Sequence, residues 1–227
     1  MEARKQPEQK ISKKVVKKVG FILLLLLMTL AAYPQQNSNQ NISQAVLNSL
    51  PDWLEKIPAG SESNYGFQSR DEFSRAGLGD PIGIFDLGDE FYTQTDQAPR
   101  LASTGEWRIP VTVDQKIRAM VTVAKQNNSW VIVDFGATGL AEGINNYESK
   151  LTADQFRRIK ILYLYQPLSK FLFYDDPASG PDQIVLLPLR SAVDYLESQG
   201  LQTTKTLTLG EVVKIVRASV ALQNQDK

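Results

Sequence analysis

From Trp107 to Phe135 the chain alternates apolar and polar residues with a period of two, broken twice by short polar turns. Trp107, Ile109, Val111 and Val113 form one run, and Ile117, Ala119, Val121 and Val123 a second, across Asp114-Gln115. A third run, Trp130 to Phe135, follows the turn Lys125-Gln126-Asn127-Asn128. Successive side chains of a strand point to opposite faces, so this pattern specifies three antiparallel strands sharing one apolar face. An apolar sheet face must be covered. The next segment offers a cover, with Leu140, Ile144, Tyr147 and Leu151 on one side of a helix beginning near Thr138.

The flanking segments add helices and more strands. Ile42, Ala45, Val46, Leu50, Trp53, Leu54 and Ile57 recur at helical spacing, with Pro51 predicting a kink or two short helices meeting near Ser49. A helical turn is expected around Asp71 to Ala76, a strand over Ile82 to Leu87, and a surface loop over Thr93 to Gly105. Thr152 with Gln155, and Thr208 with Glu211, have capping-box spacing and mark two helix starts. Strands are expected over Ile159 to Tyr165, Lys170 to Tyr174 and Ile184 to Leu187, with Pro188 as the first residue of a helix through Glu197. The expected class is α+β, an antiparallel sheet covered by helices on one face.

Ahead of this domain stands a different kind of segment. Residues 1–32 hold seven basic side chains and two acidic ones, all before Val19, followed by an uncharged run that includes five consecutive leucines. Basic residues followed by a short apolar core and small residues are the layout of a signal peptide or membrane anchor. The apolar run is shorter than the ~20 residues of a comfortable membrane span. The Gln/Asn-rich stretch 33–41 then reads as a polar tether. The expected organisation is a signal or anchor helix over 1–32 that contacts the membrane, a linker over 33–41, and one globular domain over 42–227 with a sub-boundary near residue 150. The location that follows is extracytoplasmic: secreted, periplasmic or anchored.

Charge and missing residue types narrow the function. Residues 33–227 carry 18 basic and 23 acidic side chains, a net charge near minus five, which argues against a nucleic-acid partner. The chain has no cysteine and no histidine. Disulfides, Ser-His and Cys-His catalysis, and zinc or haem sites built on those residues are excluded. No cofactor is expected.

The remaining candidates are weaker than their structural explanations. Gly136-Ala137-Thr138-Gly139 follows a strand and opens a helix, yet lacks the dinucleotide-binding spacing and reads as a tight turn. Asp86, Asp89 and Glu90, and Asp175, Asp176 and Asp182, form two acidic groups without calcium-loop spacing. Ser149-Lys150 and Ser169-Lys170 are adjacent pairs whose side chains diverge on a strand. Trp53, Trp107 and Trp130 fit core positions. The aromatic residues Tyr163, Tyr165, Phe171, Phe173 and Tyr174 alternate or cluster on the later strands, so some must face outward and form the expected contact surface.

Leu78-Gly79-Asp80-Pro81-Ile82, Trp107-Arg108-Ile109-Pro110-Val111, Tyr165-Gln166-Pro167-Leu168-Ser169-Lys170-Phe171 and Leu187-Pro188-Leu189 carry a resemblance. Across Leu78 to Leu187 the chain resembles pro-region-like modules of secreted bacterial cysteine peptidases and other exported bacterial proteins. The resemblance implies a compact α+β fold that packs against a partner protein. It brings no peptidase domain and no functional residue. The expected function is a non-catalytic binding module of the bacterial envelope with a protein partner. The alternatives are a carboxylate-based hydrolase of glycans or phosphoesters, and a small-ligand carrier with an apolar cavity between sheet and helices.

Overall fold

The computed structural model describes residues 34–93, 100–174, 183–202 and 206–225. The basic and apolar N-terminal segment and the acidic turn 175–182 lie outside the described residues. Among the described residues no helix is long and apolar enough to cross a membrane. The chain divides into two compact units, 1–41 and 42–227; the described part of the first is helical backbone.

That backbone opens helix α1, Pro34–Glu55. Proline suits a first helical turn, and glutamine is a fair helix former, so residues 34–41 of the expected tether are helical. Pro51 lies inside α1 without ending it. The carbonyl it leaves without an amide partner belongs to Leu47, a residue on the exposed side, and one turn earlier the Ser49 hydroxyl donates to the Ala45 carbonyl at 3.0 Å. Ile42, Val46, Leu50 and Leu54 form the buried stripe that the helical spacing predicts.

Among the described residues nine strands form one sheet. They are β1 Gly77–Leu78, β2 Ile82–Asp86, β3 Ala102–Val113, β4 Lys116–Gln126, β5 Ser129–Gly136, β6 Ile159–Leu164, β7 Ser169–Tyr174, β8 Val185–Pro188 and β9 Leu207–Thr208. Their order is β5-β4-β3-β2-β6-β7-β8-β9, with β1 beside β3. The predicted meander is β3-β4-β5, joined by the two-residue turns Asp114-Gln115 and Asn127-Asn128, all four residues with positive φ. Such turns match the twist of paired strands, and Asn and Asp tolerate the left-handed region well. Strand β3 begins at Ala102, so the expected loop is shorter than its composition suggests. All pairings are antiparallel except β2 with β6, where Ile84 lies beside Ile161 and Phe85 beside Leu162.

The helices that follow α1 are α2 Asp89–Thr93, α3 Thr138–Glu148, α4 Ala153–Arg157, α5 Arg190–Ser198 and α6 Leu209–Gln225. Both capping boxes form. Thr152 Oγ1 accepts from the Gln155 amide, and Glu211 accepts from the Thr208 amide at 2.8 Å. Pro188 does not start a helix. It closes β8 in register with Phe171, and α5 begins two residues later.

The mixed α+β class with a large, mostly antiparallel sheet stands, but the helices cover both faces. Ile109, Val111, Ala119, Val121 and Val123 point to α1 and share a core with its stripe. Met120 lies between Ala119 and Val121 and therefore points the other way, onto Ala141 and Ile144 of α3. The same switch recurs across the second half. Leu162, Phe171, Phe173 and Leu186 meet Val212, Val213 and Val216 of α6. Their neighbours Ile161, Leu172 and Leu187 join the core under α3. Alternation in the meander shows one apolar face, and the helix nearest in sequence covers the opposite one.

Candidate binding cleft

Proline cannot donate to a ladder and is rare in the middle of a sheet. Pro110 nonetheless lies in β3, paired on one side with Met120 of β4. On its other side β3 changes partner, with β1 opposite Val111 and Thr112 and β2 opposite Trp107 and Arg108. Pro110 occupies the gap between them, where no strand asks for its missing amide. The connector Gly79-Asp80-Pro81 passes over that gap, and the Gly79 amide donates to the Pro110 carbonyl at 2.8 Å. A Cβ on Gly79 would stand 3.0 Å from the Pro110 ring, so glycine permits the close approach.

A cleft opens beside this gap, on the α3 side of the sheet, with a volume near 220 Å³. Its apolar walls come from Ile82, Pro110 and Ile117 on the sheet, Ile144 on α3, and Phe156 and Ile159 around α4. The short helix α4 is held by the Thr152 cap, and a side-chain bond from Gln155 to the Tyr174 hydroxyl at 3.0 Å ties it to β7. Asp80, Glu148 and Arg157 stand at the rim, all exposed. The Arg157 Nε donates to the Ala153 carbonyl at 3.3 Å, and none of the three forms an ion pair among the described residues.

The expected aromatic surface is split by the fold. Phe171 and Phe173 are wholly buried, at 0% and 1% exposure, beneath α6. The sheet is covered on both sides, so both sets of an alternating strand find a core. Tyr174 is half-buried and its hydroxyl is engaged by Gln155. Tyr163 and Tyr165 remain at the surface, edge to face with ring centroids 4.6 Å apart. The Lys170 ammonium lies over the Tyr163 ring at 5.1 Å. Burial, reinforced by Arg108, lowers the Lys170 pKa, while Asp134 opposes the shift. Arg108 and Asp134 are themselves paired at 3.1 Å.

The other candidates resolve into structural roles. Asp86 accepts from the Gly88 amide at 2.9 Å, closing a turn before α2. No group of three acidic residues among the described residues is arranged to hold a metal ion. Gly136 and Ala137, both with positive φ, make the reversal into α3. Ser169 is buried and donates to the Ser191 carbonyl at 3.3 Å, on the side of the strand away from the Lys170 side chain. Trp107 and Trp130 pack against the α1 core, and Trp53 stacks on Phe135 at 6.3 Å. Glu62 is held below the usual carboxylate range by backbone hydrogen bonding and Arg70 against a desolvation effect. A general acid needs the opposite shift.

The cleft is not legible in the amino-acid order. Its one local signal was a proline inside the clearest strand pattern, which marks a missing neighbour. The partners at the gap come from segments far apart in the chain. No protein family, curated protein or solved structure matches this chain.

Proposed function

We propose that residues 42–227 form a non-catalytic interaction module of the cell envelope or secreted space, which holds a partner protein by taking one large side chain of that partner into the cleft. The observation that carries this reading is the size and lining of the cleft. At about 220 Å³ it is smaller than the roughly 300–1,000 Å³ of sites that enclose a whole small ligand. It suits a single apolar anchor surrounded by a polar rim, the usual anatomy of an interface hot spot. The basic and apolar segment 1–32 supports the extracytoplasmic location.

A photo-crosslinking residue at position 148 tests the reading. In cells, it should give one stoichiometric adduct, absent when the group is placed at Lys214 on α6. Filling the mouth with Glu148→Trp should abolish co-purification of the adducted protein. Hydrolysis of a glycan or phosphoester by purified protein, lost in Asp80→Asn or Glu148→Gln, would instead establish the carboxylate enzyme. A small molecule retained in native mass spectra would establish the carrier.

A further inference from the structure

Strand β5 ends the sheet and pairs only with β4 among the described residues. Natural edges of this kind are guarded by proline, lysine, covering elements or short length. Ser129–Gly136 has eight residues and no proline, lysine or arginine. Its one carboxylate, Asp134, is already engaged by Arg108 at 3.1 Å and by the Thr122 hydroxyl at 3.3 Å. The strand carries a single guard, a bulge. The pairing slips between Thr122 and Val123, leaving Val133 as the extra residue, 40% exposed. Residues 129–132 before the bulge keep a regular edge whose outer amides and carbonyls can accept another strand.

A second, independent feature lies along the same edge. A cavity near 210 Å³ opens between β5 and α1, lined by Trp53, Lys56, Tyr65, Val133, Asp134 and Phe135, with the Asp134 charge offset by Arg108. Phe135 stacks with Trp53 at 6.3 Å and meets Tyr65 at 6.1 Å, so the aromatic wall is held in place. The Lys56 ammonium stands over Trp53 at 4.8 Å. At the other end of β5, Lys125 is opposite Trp130 and therefore on the same face. Neither lysine has an ion-pair partner among the described residues, although Asp52 lies one helical turn before Lys56. The edge is an aromatic strip with a lysine at either end, its one carboxylate, Asp134, neutralised by Arg108.

We propose that β5 receives an extended segment of a partner protein as an added strand. One large apolar side chain of that segment enters the Trp53–Tyr65–Phe135 pocket, and acidic side chains flank it, facing Lys56 and Lys125. Backbone pairing supplies the direction, the pocket sets the register, and the lysines select an acidic sequence. This surface lies on the opposite side of the sheet from the cleft and stands or falls without it.

The test uses the full chain and two synthetic peptides, Glu-Ser-Val-Ser-Phe-Ser-Glu and its counterpart with lysine for both glutamates. The acidic peptide should bind and slow amide hydrogen exchange over residues 129–132. The basic peptide should bind about tenfold more weakly, and added salt should narrow the difference. Lys56→Glu with Lys125→Glu, both at exposed positions, should invert the preference, and Val133→Asp should remove binding of the acidic peptide. Equal binding of both peptides, or no protection of β5 by either, would overturn the proposal. A concentration-dependent dimer dispersed by Val133→Asp would also overturn it, because the occupant would then be a second copy of this chain.

Discussion

Glu72 is 3% exposed, the one charged residue buried in the interior among the described residues. It sits in a short 3-10 turn, Arg70–Arg75, where one carboxylate oxygen accepts from the Gln68 amide at 2.8 Å and the other from Arg118 of β4 at 2.7 Å. The same junction requires Gly66. Its φ is +86°, and a Cβ there would stand 2.0 Å from the Arg118 carbonyl oxygen. Arg118 therefore holds the segment with its side chain while its backbone admits only glycine opposite. Removing one partner of a buried pair leaves the other uncompensated, so Arg118→Ala should cost about 3–5 kcal/mol in urea unfolding. Arg118→Ala combined with Glu72→Leu should recover much of that loss, which separates burial of a lone charge from lost packing.

Alkaline stability is also decided at single residues. Burial pushes the Tyr92 hydroxyl up to about 12, with Asp86 adding to the shift and the backbone of Tyr165 and Gln166 opposing it. The unfolded tyrosine ionises near 10.0, so between these values the unfolded chain has lost a proton that the folded chain keeps. Stability should fall as pH rises through that window. Lys170 works in the opposite direction. Its lowered folded pKa means that the cost of burying its charge is relieved as pH approaches 10.5 from below. Urea midpoints at about pH 9 and about pH 11 should show a smaller alkaline loss in Tyr92→Phe than in the parent chain. An equal loss in both would remove Tyr92 from the account.

Among the elements, the capped helices were the most legible in sequence because a cap is a local contract between residues three apart. Thr208 Oγ1 accepts from the Glu211 amide at 3.2 Å, and Glu211 returns the bond to the Thr208 amide. Thr208→Ala should therefore lower stability by about 1 kcal/mol, read from the urea midpoint at unchanged slope. The meander was equally legible, since the period of two and its turn residues are both local. Pro188 ends β8 instead of opening a helix, and Pro51 sits inside one continuous α1 instead of between two short helices. A proline's effect depends on whether its missing amide had a partner, and that depends on the surrounding chain. In α1 the freed carbonyl lies on the exposed side, and Pro188 ends a strand at the start of a helical approach.

Seen whole, the sheet is two antiparallel halves joined along the single parallel pair β2–β6. Separate cores lie under α1 and under α6, while the core under α3 spans the seam, with Ile82, Ile117 and Met120 from one half and Ile161, Leu172 and Leu187 from the other. Ile144 is fully buried at its centre. Ile144→Ala should cost about 2–5 kcal/mol. It should also loosen the coupling of the halves, seen as non-coincident unfolding by Trp fluorescence and far-ultraviolet dichroism, because Trp53, Trp107 and Trp130 all lie in the first half. Coincident transitions would mean that the β2–β6 ladder alone couples them.

The amino-acid order by itself determined the strand pattern of the meander, the caps of α4 and α6, the α+β class and the exclusions that follow from lacking cysteine and histidine. These depend on contacts between near neighbours or on composition, so they can be read without knowing the fold. Tertiary structure decided that β2 runs parallel to β6, that both sheet faces are covered, that Phe171 and Phe173 are core, and that a cleft opens where β3 changes partner. Alternation shows that two faces differ but not which helix meets either one. That choice depends on packing between segments distant in sequence, and the cleft and the open β5 edge are set by the same packing.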